Sequence, residues 1–539
     1  MAGAAAAPLA CHFAESKLVL ASMQRMQTLA AIDIGSNSCR LKIARIEQHR
    51  LKVLHEDREV TRLGASVFES GTISPDAMAG TLRALKRFYK AVQEAAADRV
   101  RAVATAALRD ARNAQAFIAW VKAETGWDVE IISGLEEARL IHRGVMREPR
   151  TQGRCLLVDL GGGSCEITLS DRKRIVETMS LPLGAVRLTE EFLHEADRPA
   201  PEDIARMKRY IRRELGRAGR RFGSLLRVQV IATSGTAAAL VQASVMTKLA
   251  GRPAKSPKRE SRTAEARAVR RLATKLPKLT NQERGRVPGV GPRRAEIIVA
   301  GAEVYAELLE HFGLHGFRYS ELGLRDGILA QMLAEQDART SAHQQFERDR
   351  WESVLATCKR YGVDTRSAEP VRAHAAQLFR DLQSMHGLPA DYRQWIEAAA
   401  MMRDVGKYIN YQGHHRHTQY VIAGSELYGF TPQQRSIVSG IARYLGKSRP
   451  APQDRAFRYI APADHDNVKR AIVLLRLAVA LNQDRASDVL RVTVRAYPKR
   501  VALKIQPGRT GAELELWSLR KEADYFREVF RRELFATLA

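Results

Sequence analysis

The sequence predicts an α/β protein made of two related lobes, followed by a helical domain and a small α/β appendage. Three observations predict this. A strand, glycine turn, strand unit occurs twice; short apolar strands alternate with amphipathic helices as far as about residue 338; and strand signals then give way to helical periodicity until about 485, after which alternation resumes. At 539 residues the chain also exceeds what one hydrophobic core usually supports.

The first unit is TLAAID (28–33), a glycine turn and CRLKIARI (39–46), and the second is CLLVD (155–159), the turn GGGS and CEITLS (165–170). Laying DIGSNSCRLKI over DLGGGSCEITL without gaps matches Asp33 with Asp159, Gly35 with Gly161, Ser38 with Ser164 and Cys39 with Cys165, and 126 residues separate the two copies. Two facing lobes would bring both turns to one cleft, where ligands sit. Helices are expected near 74–97, 111–125, 135–145 and 200–219, with strands at 100–105, 128–133 and 228–233. The expected domains are a disordered leader (1–27), lobe I (28–150), lobe II (151–338), the helical domain (339–487) and the appendage (488–539). In the appendage 489–497, 500–507 and 512–519 alternate like strands before a closing helix.

Lysine and arginine outnumber aspartate and glutamate 87 to 60, for a net charge of +27. Such a balance favours polyanionic partners by steering and counterion release, and a phosphate polymer fits as well as nucleic acid. A basic stretch at 251–275 reads as a solvated helix and loop on the cleft rim, or as a polyanion contact. Five cysteines show no paired spacing and no CxxC, which argues against disulfides and structural zinc and for a reducing cytoplasm. No run approaches the ~18 apolar residues of a membrane span, so no membrane partner is expected. The N-terminus lacks the basic segment of a secretory signal, and Met23 or Met26 is an alternative start to Met1.

In both turns glycines let the backbone approach an anion, while amides and serine hydroxyls donate to phosphate oxygens. Gly35, Ser36, Asn37 and Ser38 form one such cradle, and Gly161, Gly162, Gly163 and Ser164 the other. Glu166 returns on the strand after Asp159, so both carboxylates can face one loop, which suits a magnesium ion (Mg2+) holding oxygen ligands and substrate phosphate. At IISGLEEAR (131–139) two glutamates open a helix, where a carboxylate serves either as a dipole partner or to activate water. Ser234, Gly235 and Thr236 open another helix and can hold a phosphate or simply cap it.

Taken in order, IDIGSNSCRL, ATAALRDARN, IISGLEEARLI, VDLGGGSCEI, ATSGT, VGPRRAEIIVAG and ELGLRDGIL resemble the exopolyphosphatase and guanosine pentaphosphate phosphohydrolase (Ppx/GppA) family over about residues 28–335. The resemblance implies a duplicated actin-like, RNase H-type (ASKHA) ATPase-like fold, dependence on Mg2+, and removal of the terminal phosphate of inorganic polyphosphate or of pppGpp. It assigns the water-activating base to Glu137, with Glu136 as the fallback, the metal site to Asp159 and Glu166, and phosphate binding to Arg109, with Asp33 facing them. A homodimer is expected, and nucleic acid is not expected as a specific partner.

The segments 398–422 and 439–447 resemble the HD-type domain of longer family members, but Arg403 stands where a metal-binding dyad needs histidine before Asp404. His414, His415 and His417 do not restore it, so a degenerate domain is expected. Two other readings share the loops: an actin-like kinase, which would want a glycine-rich adenosine loop where VPGVGPRRAE (287–296) stands, and a polyanion-binding protein without catalysis. Long polyphosphate is the first choice of substrate and pppGpp the alternative.

Overall fold

A computed structural model describes residues 27–539 apart from 150, 152, 195, 224, 226, 250–261, 337–340, 447, 452, 455, 484–488 and 509–510. The expected leader, but for Gln27, and the first part of the basic stretch therefore lie outside the described residues. The chain forms two compact units that divide after Ala338.

The first unit contains two sheets with one plan. Strands β1 (Thr28–Ile34), β2 (Ser38–Glu47), β3 (Arg50–Val60), β4 (Arg99–Ala104) and β5 (Val129–Ile131) are ordered β3-β2-β1-β4-β5. Strands β6 (Arg154–Leu160), β7 (Cys165–Asp171), β8 (Arg174–Leu181), β9 (Gln229–Thr233) and β11 (Gly316–Tyr319) repeat that order, with β10 (Thr263–Glu265) added at the edge. In each, the first three strands are antiparallel and the next two parallel. The bulge repeats too: register shifts after Ile43 in one lobe and after Leu169 in the other, again 126 residues apart. The central strands TLAAIDI and RCLLVDL are buried on both faces, which is why they read as nearly continuous apolar runs.

The longer helices that flank the sheets are α1 (Pro75–Glu94), α2 (Ala114–Thr125), α3 (Gly134–Val145), α4 (Pro201–Phe222), α5 (Ser234–Leu249), α6 (Ala266–Lys275) and α7 (Ile298–His311), with α8 (Leu324–Gln336) closing the unit. The α1 helix starts where Ser74 accepts from the Ala77 amide and Pro75 fixes φ, and it buries Leu82, Leu85, Phe88 and Val92 at helical spacing. Helices α3 and α8 cross so closely that a Cβ on Gly327 would stand 1.8 Å from the Leu140 carbonyl oxygen. Their Leu140, Ile141, Ile328 and Met332 share a core with Leu29 and Val103 of the first sheet and Leu157 and Ile231 of the second. One packed layer thus fixes both sheets against the helix that carries Glu137.

The second unit is helical through α9 (Ser341–Arg360), α10 (Thr365–Asp381), α11 (Tyr392–Met402), α12 (His414–Gly424), α13 (Pro432–Arg443) and α14 (His465–Ala480). A sheet β12-β13-β14 follows, from Arg491–Ala496, Arg500–Gln506 and Glu533–Leu538, with α15 (Glu513–Phe530) between its last two strands. Ile396 and Ile472 of the helices share one core with Val501, Ile505 and Phe526 of the sheet and α15.

The segment 512–519, expected as a strand, is instead the start of α15. Its alternation runs into SLRKEADYFREVF without a turn residue, and the helix buries Leu519, Tyr525 and Phe526 along one face. The third strand is the C-terminal Glu533–Leu538, parallel to β13. The described part of the basic stretch, β10 and α6, buries Ala268, Val269 and Leu272, and none of it lines the cleft described below. No helix among the described residues is long and apolar enough to cross a membrane. Cys39, Cys155, Cys165 and Cys358 are buried and free.

Candidate active site

The two glycine turns meet. Each is closed by the same bond, from the Gly35 amide to the Ser38 carbonyl at 3.2 Å and from the Gly161 amide to the Ser164 carbonyl at 3.0 Å. Gly162 and Gly163 press against the opposite turn, where a Cβ on Gly162 would lie 3.0 Å from Ser36 Cβ, and one on Gly163 2.5 Å from Ala106 Cβ. Only glycine permits that approach. Arg187 of the second lobe clasps the first: its Nη2 pairs with Asp110 and its guanidinium lies 4.0 Å from the Phe68 ring centre, while its Nε donates to the Gly163 carbonyl of its own lobe at 2.8 Å. Between the turns lies a cavity of about 330 Å3 lined by both loops, Glu137, Asp159, Ser234, Gly235 and Thr236.

Glu137, Asp159 and Glu166 converge, each offering a carboxylate oxygen within 4.8 Å of the others. Ser133 Oγ accepts from the Glu136 amide at 3.2 Å and starts α3, so Glu137 falls on the first turn, facing the cavity. Asp159 and Glu166 oppose each other across the β6–β7 pair. Thr233 Oγ1 donates to Asp159, and Ser180 Oγ donates to Glu166 Oε1 at 2.7 Å. Burial first, and then the neighbouring carboxylates, holds all three acids above the ordinary carboxylate range. Glu137 Oε2 and Glu166 Oε2 are buried with no hydrogen-bond partner in the chain. A hard oxygen donor set with unused lone pairs fits a divalent cation, which would relieve both the orphaned oxygens and the crowded charge.

Asp33 lies opposite and is likewise raised by burial, against the pull of Arg40 and Arg325. Arg109 donates to the Ile132 carbonyl at 2.7 Å and reaches within 3.6 Å of Glu137 Oε2. The predicted serines are partly committed. Ser36 Oγ accepts from the Ala107 amide at 3.1 Å, Ser38 Oγ accepts from Arg40 Nε at 3.4 Å, and Ser234 Oγ donates to the Leu160 carbonyl at 2.7 Å. Ser164 lies close enough to Glu166 to offset part of the rise in its proton affinity. The Thr236 methyl packs on Gly301, while the backbone of Asn37 accepts from the Thr61 and Arg62 amides.

Sequence reasoning missed the cationic wall. Arg40, Arg58, Arg294 and Arg325 line the same cavity. Burial and mutual repulsion bring Arg58 down to about 10 and Arg294 to about 9, and lower Arg325. Arg294 lies flat on Gly235, where a Cβ would overlap its guanidinium, and its Nη2 is buried without a partner. Three of these arginines stand inside the segments DIGSNSCRL, VGPRRAEII and ELGLRDGIL; the signal was arginine beside a glycine turn. Like charges gathered in a half-closed pocket await an anion.

Over residues 42–336 the chain matches the model of the Ppx/GppA phosphatase family. The chain belongs to that family. Residues 349–523 match the model of Ppx/GppA phosphatase domain III. An exopolyphosphatase from Cytophaga hutchinsonii is 28% identical, with a TM-score of 0.52, and the match covers all of that chain and 58% of this one. A solved exopolyphosphatase-like protein is 26% identical at a TM-score of 0.52, over 97% of its chain and 57% of this one. A Ppx/GppA family member from Aquifex aeolicus is 31% identical, over 99% of its chain and 58% of this one, at a TM-score of 0.48. The fold is therefore the actin-like two-lobed fold of Ppx/GppA phosphatases, enzymes that hydrolyse phosphoanhydride bonds. In the second unit Asp404 is held by Lys407 at 3.0 Å, Arg403 at 3.5 Å and His414 at 3.6 Å. Among the described residues the only cluster of three or more potential metal ligands is the one at Glu137.

Proposed function

We propose that this Ppx/GppA phosphatase is a Mg2+-dependent exopolyphosphatase that releases orthophosphate from the end of inorganic polyphosphate. The observation that carries the reading is the convergence of Glu137, Asp159 and Glu166, the first two lining a cavity walled by two glycine turns and four arginines. Asp159 and Glu166 would hold Mg2+, which when bound neutralises phosphate charge and polarises the phosphoryl oxygens. Glu137 orients a water and takes its proton as the water oxygen bonds to the terminal phosphorus. The bond from that phosphorus to the bridging oxygen breaks, and the shortened chain leaves with the electron pair. Burial and the Glu166 carboxylate raise the proton affinity of Glu137, which suits a general base, and Arg109 pulls the other way. Loop amides and Arg109 stabilise the equatorial oxygens, and the four arginines hold the phosphates behind the terminus.

The deciding experiment is phosphate release measured side by side on long polyphosphate, tripolyphosphate and pppGpp with Mg2+ titrated. Greater kcat/KM on long chains is expected. A preference for pppGpp would move the assignment to the pentaphosphate hydrolase reading, and ATP turnover without either would favour a kinase-like one.

A further inference from the structure

Among the described residues, one face of the C-terminal sheet has no cover. Val492, Val501, Leu503, Ile505 and Leu534 point into the core of the second unit. The alternate positions point outward: Arg491, Thr493 and Arg495 on β12, Arg500, Ala502 and Lys504 on β13, and Glu533, Phe535 and Thr537 on β14. The register makes rows across the strands, Arg495 beside Ala502 beside Phe535, and Thr493 beside Lys504 beside Thr537. Phe535 is 51% exposed in the middle of a strand, and the small Ala502 leaves open space between its ring and the Arg495 side chain. Next to these rows Arg500 stands 5.1 Å over the ring of Tyr497, itself 38% exposed. The acid on this face, Glu533, is engaged by Arg527 at 3.4 Å.

The geometry points to a platform for single-stranded RNA, bound without sequence preference. Four cations against one neutralised acid call for a polyanion. A bare phosphate chain would gain nothing from an uncovered phenyl ring and tyrosine, whereas a base stacks on them, and every base has a face to offer. A second copy of the chain is disfavoured, because a two-fold contact would set these arginines against themselves. The site lies on the second unit, and its binding does not depend on the phosphohydrolase reading.

The test is fluorescence anisotropy of the full chain with a labelled oligouridylate of roughly ten nucleotides, a length within what such a platform engages, and polyphosphate of similar length as the comparison probe. Salt-sensitive RNA binding is expected. Phe535→Ala should weaken it about tenfold and leave polyphosphate affinity and phosphate release unchanged, and Phe535→Tyr should restore it. Arg495→Ala should lower the slope of log affinity against log salt by about 0.7. Absence of RNA binding, or RNA binding indifferent to Phe535→Ala and Arg495→Ala in proteins with unchanged thermal melts, would overturn the inference.

Discussion

Glu136 and Glu137 are neighbours in sequence and have different surroundings. Glu136 is set among Arg101, Arg139 and Glu130, while Glu137 faces Glu166, Arg109 and Asp159. Glu137→Gln should therefore cut phosphate release by ~10^2 to 10^4 and spare binding of the phosphate chain, whereas Glu136→Gln should leave turnover near wild type; steady-state assays on both variants decide. His142, on the same helix, is buried against Ser170 Oγ at 2.8 Å, and burial brings it from 6.5 down to about 4. A depressed base contributes stability above its unfolded value and loses it as pH falls. The neutral ring is favoured fully at pH 7, and ~3 kcal/mol goes between 6.5 and 4. Denaturant titrations at pH 7 and pH 4.5 should show a smaller difference in His142→Gln than in wild type. Gly163→Ala would push a methyl into Ala106 and Phe68, so a loss of ~1–3 kcal/mol in melting and weakened catalysis are expected together.

At the scale of elements, the duplicated units were legible because each is local: an apolar run, a glycine turn and a returning strand. What periodicity could not reveal were the outer strands and the appendage. β3 is exposed along most of its length and dense in charge, so no apolar alternation marks it. In 512–519 two periods compete, and only the core beneath Leu519 and Phe526 chooses the helix. Asp159 and Glu166 were found because they flank a recognisable turn, and Glu137 was singled out from Glu136 by the family resemblance, whereas Arg58 enters the site from the unread β3. The α3 helix depends on its cap, so Ser133→Ala should cost ~1 kcal/mol in denaturant titration. Because that cap also sets the first turn, kcat should fall while KM moves little, and Ser133→Asp should recover both.

For the molecule as a whole, a charge of +27 with arginines at the cavity wall ties substrate capture to ionic strength. KM for polyphosphate should climb steeply between about 0.05 and 0.2 M salt, while kcat stays level, since buried groups are screened far less than approaching ones. Kinetics across a potassium chloride series would show it, and a salt-independent KM would contradict it. The cavity of about 330 Å3 is lined by Glu137 and Asp159 together with two turns packed so closely that Gly162 and Gly163 have no room for a side chain. A chain must therefore arrive tip first. A ring has no tip, so trimetaphosphate should survive incubation with the enzyme intact, although it carries the same anhydride bonds as the linear polymer consumed beside it.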